Sequence, residues 1–384
     1  MIRKLSVLSF TVLLALIWIG LFASDALAIP AFARKYGVNC NKCHTQIPQL
    51  NVDGIRFKQN GYRQPDEEGR VIWEEETFPL GALLKIRYNF TSSDKKGVKN
   101  KSFFDPHELE IFSAGTMGPK VSYFLEVEGE FETEEDEANV ELGEFFIILD
   151  DLLGENSMVN VKAGRFINEY FHVSDHLKMT AEGYLSKNVS IDVDGIELDG
   201  LVPAGPGGAH YAVGVVNDET GIQSDDNNFR AFYGWTSYTV AGQTLGVRYI
   251  HSPTRAAPGL DHENHTQFDT FFKGTADLGL SETNPAYLIF GFATEDNVGG
   301  LDGKERLSYV VEPTVFLGEK WALIGRYELQ NDPDVSDTND RFLFHVGYHP
   351  IPNLKLFAEY HHKEIREGPN EIEDRFRFGF FVAF

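Results

Sequence analysis

Cysteine is nearly missing from this chain: Cys40 and Cys43 are the only two in 384 residues. So small a supply rules out a disulfide-stapled scaffold and leaves no thiol for a thiolate metal site elsewhere. Long apolar runs are missing after the first 28 residues. No later segment reaches the roughly twenty residues that a membrane-crossing helix needs. Basic residues are in deficit, with 34 Lys and Arg against 58 Asp and Glu and a net charge of −24. That balance lacks the basic footprint of a nucleic-acid binder, so no nucleic acid is expected as a partner. The sequence also holds no nucleophile triad, Walker loop or zinc spacing, and catalytic residues of those kinds stay unassigned.

What the two cysteines do make is Cys40-Asn41-Lys42-Cys43-His44. C-x-x-C-H is the attachment signature of c-type haem. Each thiol adds across one vinyl group of the porphyrin, and the following histidine stands under the iron as an axial ligand. The spacing predicts one covalently attached haem c, held by Cys40 and Cys43, with His44 as the metal ligand. A thioredoxin-like pair would sit near a βαβ pattern, and none is visible.

Residues 1–28 read as a cleaved signal peptide. Arg3 and Lys4 precede an apolar stretch, and Ala26-Leu27-Ala28 supplies small residues for cleavage. Residues 29–77 form a short segment around the haem motif, a small monohaem cytochrome c-like unit. So short a chain buries too little surface for a sufficient core of its own. It must borrow walls from residues 78–384, where apolar and polar residues alternate with period two again and again. Leu84, Ile86, Tyr88 and Phe90 alternate with Lys85, Arg87 and Asn89. Val121, Tyr123, Leu125, Val127 and Phe131 alternate with Ser122, Glu126, Glu128, Glu130 and Glu132. Such segments are strands with one apolar and one polar face.

Three features favour an all-β, outer-membrane antiparallel β-barrel over a soluble sandwich. About sixteen segments occur, each long enough for a tilted transmembrane strand. The final segment places Phe376, Phe378, Phe380, Val382 and Phe384 on one face and stops at Phe384. Short Gly- or Pro-rich connections at 115–120, 202–208, 240–243, 318–320 and 350–353 interleave with longer ones at 92–102, 167–188, 218–228, 252–265, 294–305, 331–340 and 363–373. Short turns at one end and long loops at the other match the periplasmic and extracellular ends of such barrels. The expected arrangement is a barrel in the bacterial outer membrane, with the cytochrome-like segment plugging its lumen or lying at its periplasmic side.

Much of the acidic excess falls in the longer loops: Glu134, Glu135, Asp136 and Glu137; Asp218, Glu219, Asp225 and Asp226; Asp332, Asp334, Asp337 and Asp340; Glu371, Glu373 and Asp374. These either hydrate the surface or concentrate cations. Glu126, Glu128, Glu130 and Glu132 all aim into the lumen by alternation. Facing cations such as Lys85 and Arg87 would neutralise them, or they would form a cation path toward the haem. Met117, Met158, Met179, His345, His349 and His361 are candidates for the second axial ligand, and no spacing singles one out.

Phe32-Ala33-Arg34-Lys35-Tyr36-Gly37 leads into Cys40-x-x-Cys43-His44-Thr45. Pro48-Gln49-Leu50-Asn51, Gly54, Phe57-Lys58 and Asn60-Gly61-Tyr62 follow. In this block of about thirty residues the chain resembles the monohaem cytochrome–porin fusions of bacterial outer membranes, a family that includes outer-membrane ferrous-iron oxidases. The resemblance implies oxidation of extracellular Fe(II), or of another redox donor, at the cell surface. The electron then passes through one haem to a periplasmic cytochrome or other carrier. The alternative is a haem-bearing porin, or a conduit to another extracellular redox partner, without iron oxidase activity. Over the remaining three hundred residues the likeness is one of architecture alone.

Overall fold

The computed structural model describes residues 31–64, 67, 69–74, 78–95, 99–132, 137–153, 158–167, 178–185, 192–217, 230–253, 264–298, 303–332, 337–366 and 371–384. The signal-peptide reading of residues 1–28 lies outside them. So do Glu134, Glu135, Asp136, Asp218, Glu219, Asp225, Asp226 and Asp334, and the side chains of Glu132, Glu137, Asp332 and Asp337.

Sixteen strands close into one antiparallel barrel, each paired with its neighbours in sequence. Ahead of it come a helix Ala31–Tyr36 (α1), a two-stranded ribbon His44–Gln46 (β1) and Gln49–Leu50 (β2), and a helix Val52–Gln59 (α2). The barrel runs from Leu80–Ser93 (β3) to Glu371–Ala383 (β18), and these two strands pair to shut the ring. Beyond β18, Phe384 N–H donates to the Ala82 carbonyl at 2.9 Å, and the Phe384 carbonyl accepts from Ala82 N–H at 2.8 Å. Closure leaves no sheet edge, which lipid would not tolerate.

The alternation is turned inside out relative to a soluble protein. Phe342, Phe344, Phe376 and Phe378 are exposed on the outer face, while Arg326, Arg341, His345, Lys355 and Arg377 are buried in the lumen. A lipid-facing apolar belt around a polar interior is the membrane-barrel pattern. The short turns at 119–120, 205–206, 241–242 and 318–320 fall at one end, as their composition anticipates.

Two pieces of chain fill the lumen. The N-terminal segment touches the wall on several sides. Gln49 Oε1 accepts from Tyr287 Oη at 2.7 Å, Gln59 Nε2 meets His210 Nδ1 at 2.8 Å, and Arg63 Nη1 donates to the Pro119 carbonyl at 2.7 Å. Contacts around so much of a closed ring place this segment inside it. The second piece is 178–185, which follows Asn160–Ile167 (β7) in sequence. It binds Trp321–Asp332 (β15), Asp337–Ile351 (β16), Leu354–Arg366 (β17) and β18, half-way around the ring. Glu359 accepts from Ala181 N–H at 2.7 Å and Glu182 N–H at 2.9 Å, and Glu328 accepts from Leu185 N–H at 2.6 Å. Arg326 Nη1 donates to the Gly183 carbonyl at 3.0 Å.

Glu182 is the knot of this crossing. Its carboxylate takes Arg341 at 3.1 Å, Arg375 at 3.4 Å and Arg377, with His361 at 3.8 Å. Burial alone would raise its pKa, but Arg377, His361, Arg341 and Arg375 outweigh burial and hold it below the usual carboxylate range. As pH falls below the ordinary value of 4.5 the released segment takes up the proton first. The stabilisation is therefore complete above that pH and lost as pH drops toward the depressed folded value. We expect Glu182→Gln to lower stability to urea in detergent by about 3 kcal/mol at pH 7. The gap to wild type should narrow steadily as the pH is taken from 4.5 to 3. A gap that does not change with pH would show that Glu182 acts by packing alone.

Candidate functional site

Cys40 opens a single 3-10 turn, Cys40–Lys42, which Cys43 N–H closes on the Cys40 carbonyl at 3.1 Å. Both thiols are free, and burial pushes both up from the ordinary thiol range, so both are protonated at neutral pH. His44 follows at the start of β1. Its Nδ1 lies 3.0 Å from the Pro48 carbonyl. A carbonyl only accepts, so Nδ1 carries the proton and Nε2 keeps its lone pair. Burial lowers the His44 pKa by more than the Pro48 and Gln49 backbone contacts raise it. The imidazole is therefore neutral, as a metal ligand must be.

The turn is braced from α2. Asn51 caps that helix by accepting from Gly54 N–H at 2.9 Å, while its Nδ2 donates to the Asn41 and Lys42 carbonyls at 3.1 and 3.2 Å. Asn51 N–H donates to the Cys43 carbonyl at 2.9 Å. At Gly54 a Cβ would stand 2.1 Å from that same carbonyl oxygen, so only glycine lets the helix lie against the motif. Phe57 and Tyr62 carry the packing outward. Phe32 meets Phe57 edge-on at 4.7 Å, and Tyr62 stacks on Phe124 of Val121–Glu132 (β5) at 5.9 Å.

Between the motif and the wall lies a cavity lined by Cys40, Cys43 and His44, with Phe32, Leu50, Phe57, Leu83, Phe112 and Phe124 as apolar walls. Two unpaired thiols, a neutral imidazole with a free Nε2 and an apolar enclosure fit a covalently held porphyrin. The same cavity meets three wall carboxylates: Glu110 of Lys101–Gly118 (β4), Glu126 of β5 and Glu144 of Glu137–Leu149 (β6).

A second lumen cavity of about 410 Å³ adjoins it, with Pro48 and Glu144 lining both. Here Glu108, Glu128 and Glu130 each bring one carboxylate oxygen within 4.8 Å of the others. Lys85 Nζ lies 2.7 Å from Glu108 and 2.5 Å from Glu110. Arg87 pairs with Asp105 at 2.6 Å. Lys85 and Arg87 thus answer carboxylates of β4. Glu128 and Glu130 were visible in the sequence as inward residues. Glu108 was missed, although Glu108-Leu109-Glu110 carries the same alternation.

None of the candidates for a second axial ligand lines the motif cavity. Met117 and Met158 are exposed, and Met179 is buried in the crossing segment. His345 Nδ1 is 2.8 Å from Glu359, and His361 faces Glu182. His349 is buried in the lumen wall.

No family model and no curated protein matches the chain. Solved porins do match in fold. An anion-selective porin from Comamonas acidovorans superposes with a TM-score of 0.59 at 13% identity, covering 79% of this chain and 98% of the porin. The outer membrane channel DcaP of Acinetobacter baumannii gives 0.58 at 12%, covering 79% and 96%. Salmonella typhi OmpF gives 0.56 at 11%, covering 79% and 97%. The barrel has the porin fold.

On the expectation from the sequence that Cys40 and Cys43 carry a haem, Gly54 would let α2 seat the motif, and Gly54→Ala should lower covalent haem per folded barrel by more than half. Pyridine haemochrome absorbance against heat-modifiable gel migration measures that ratio. Full haem loading in the variant would detach α2 from presentation of the motif.

Proposed function

We propose that this chain is an outer-membrane electron-transfer protein that oxidises extracellular Fe(II) and passes the electron through one haem c to a periplasmic carrier. Cys40 and Cys43 hold the haem by thioether bonds, and His44 Nε2 binds its iron. The haem, when attached, supplies a one-electron carrier. The observation that carries the reading is the shared wall between the two lumen cavities. Pro48, whose carbonyl orients the His44 ring, also lines the space where Glu108, Glu128 and Glu130 converge. Hard carboxylate oxygens in a group of three suit a ferrous ion as substrate. Lys85 beside Glu108 offsets part of their mutual repulsion when no cation is present.

The porin fold favours one second reading, a haem-bearing porin or conduit without iron oxidase activity. Anaerobic stopped-flow mixing of the oxidised protein with ferrous iron separates the two. Iron oxidation predicts a reduced α-band within milliseconds to seconds. Glu128→Gln combined with Glu130→Gln should slow it about tenfold or more. Cys43→Ser should lose the second thioether bond. A haem that stays oxidised under excess ferrous iron, yet accepts electrons from a low-potential reductant, would leave the haem-bearing porin or conduit.

A further inference from the structure

Glu126 is a buried wall carboxylate with one of its two oxygens left without a partner. It points into the lumen from β5, is 5% exposed, and lines the cavity that holds Cys40, Cys43 and His44. Its Oε2 has no hydrogen-bond partner among the described residues. The other two carboxylates of that cavity are engaged. Glu110 takes the Lys85 ammonium at 2.5 Å, and Glu144 accepts from Ile167 N–H at 2.9 Å. A buried carboxylate oxygen left without a partner is costly, and such an atom persists where a charge or ligand is meant to meet it.

The backbone is shaped around this side chain. Leu125 pairs with Phe145 and Val127 with Leu142, so Gly143 and Glu144 together face Glu126 across a β-bulge. Bulges re-aim side chains next to functional sites. At Gly143 a Cβ would stand 2.5 Å from Glu128 Oε1 and 3.2 Å from Glu126 Cγ, so the missing side chain makes room for both carboxylates. Among the described residues lining the cavity there is no methionine, and His44 is the single histidine. A haem held by Cys40, Cys43 and His44 would share this cavity with the Glu126 carboxyl. Ferric iron in a porphyrin dianion leaves one net positive charge there, which an anionic oxygen complements.

We infer that Glu126 is the wall carboxylate that stands at the axial position of the haem iron opposite His44. This rests on haem attachment at Cys40 and Cys43. An oxygen ligand exerts a weak field, so the oxidised protein is high-spin.

The test uses full-length protein purified in detergent, with folding checked by heat-modifiable migration. Pyridine haemochrome comes first: a barrel without covalent haem overturns the attachment reading and this inference with it. With haem present, the wild type should show a high-spin ferric absorption and EPR spectrum. Glu126→Gln should shift the ligand-to-metal charge-transfer band and raise the midpoint potential. Glu126→His should convert the spectrum to low-spin bis-histidine. A low-spin wild type that Glu126→Gln leaves unchanged would place a different ligand on the iron. A high-spin wild type that neither variant alters would put Glu126 out of reach of the iron. Either result overturns the inference while leaving haem attachment intact. Should Glu126→His fail to fold, the Glu126→Gln spectrum and potential decide alone.

Discussion

Closure of β18 on β3 is the constraint from which the rest follows. In lipid every backbone N–H and C=O must be paired within the protein, so a sheet can cross only as a ring. A ring has an inside, and period-two alternation assigns every second residue to it. The sequence therefore had to bring its charges inward, and the outer face had to be given to Phe, Leu and Val. That exchange explains why Arg326, His345 and Lys355 are buried while Phe344 and Phe378 are exposed. Sixteen strands also enclose more space than their own side chains fill. Something else must fill the lumen, and here the N-terminal segment and the 178–185 crossing do so.

The crossing and the plug are held differently. The crossing is held by charge: Glu182 against three arginines, and Arg326 against Glu312 at 2.7 Å while it also reaches the Gly183 carbonyl. Such pairs are desolvated on both sides, so each carries weight only because its partner is present. The plug is held largely by aromatic packing, with Phe32, Phe57, Tyr62 and Phe124 passing contact from α1 to the wall. The two modes leave one region of the lumen where neither prevails. Between the motif and strands β4 to β6, the described residues lining the two cavities include more carboxylates than lysines and arginines. That imbalance marks the site.

The barrel was legible because side-chain direction in a strand has period two and lipid enforces the contrast between faces. Strand count, turn positions and the inward row Glu126, Glu128, Glu130 could all be read from the chain. The C-x-x-C-H spacing was legible because three residues carry the whole signal within five positions. The site around it was not. Glu108 meets Glu128 and Glu130 through inter-strand register, which alternation within one strand does not contain. The bulge at Gly143 has no local composition that announces it. Glu182 finds Arg377 across 195 positions, and Gln49 finds Tyr287 across 238, so no window along the sequence could pair them. Gly54 stood in the sequence only as one residue of the block that carries the resemblance. Its reason is the Cys43 carbonyl lying where a methyl would go.

A filled lumen changes what such a barrel is good for. An open channel lets ions equilibrate, whereas under the proposed function a lumen filled by a segment that carries a haem would let an electron cross. Under the proposed function this separation has chemical value, because ferric iron is insoluble near neutral pH and is best left outside. The same insolubility removes product and draws the oxidation forward, so the haem need not be a strong oxidant. A carboxylate at the iron is compatible with that condition, since an anionic ligand favours the ferric state and lowers the potential. On the proposed reading the acidic wall would have two parts: Glu108, Glu128 and Glu130 to receive a cation, and Glu126 to set the state of the carrier next to it. Both sit on adjacent strands of one face, where a change at either alters the field felt by the other.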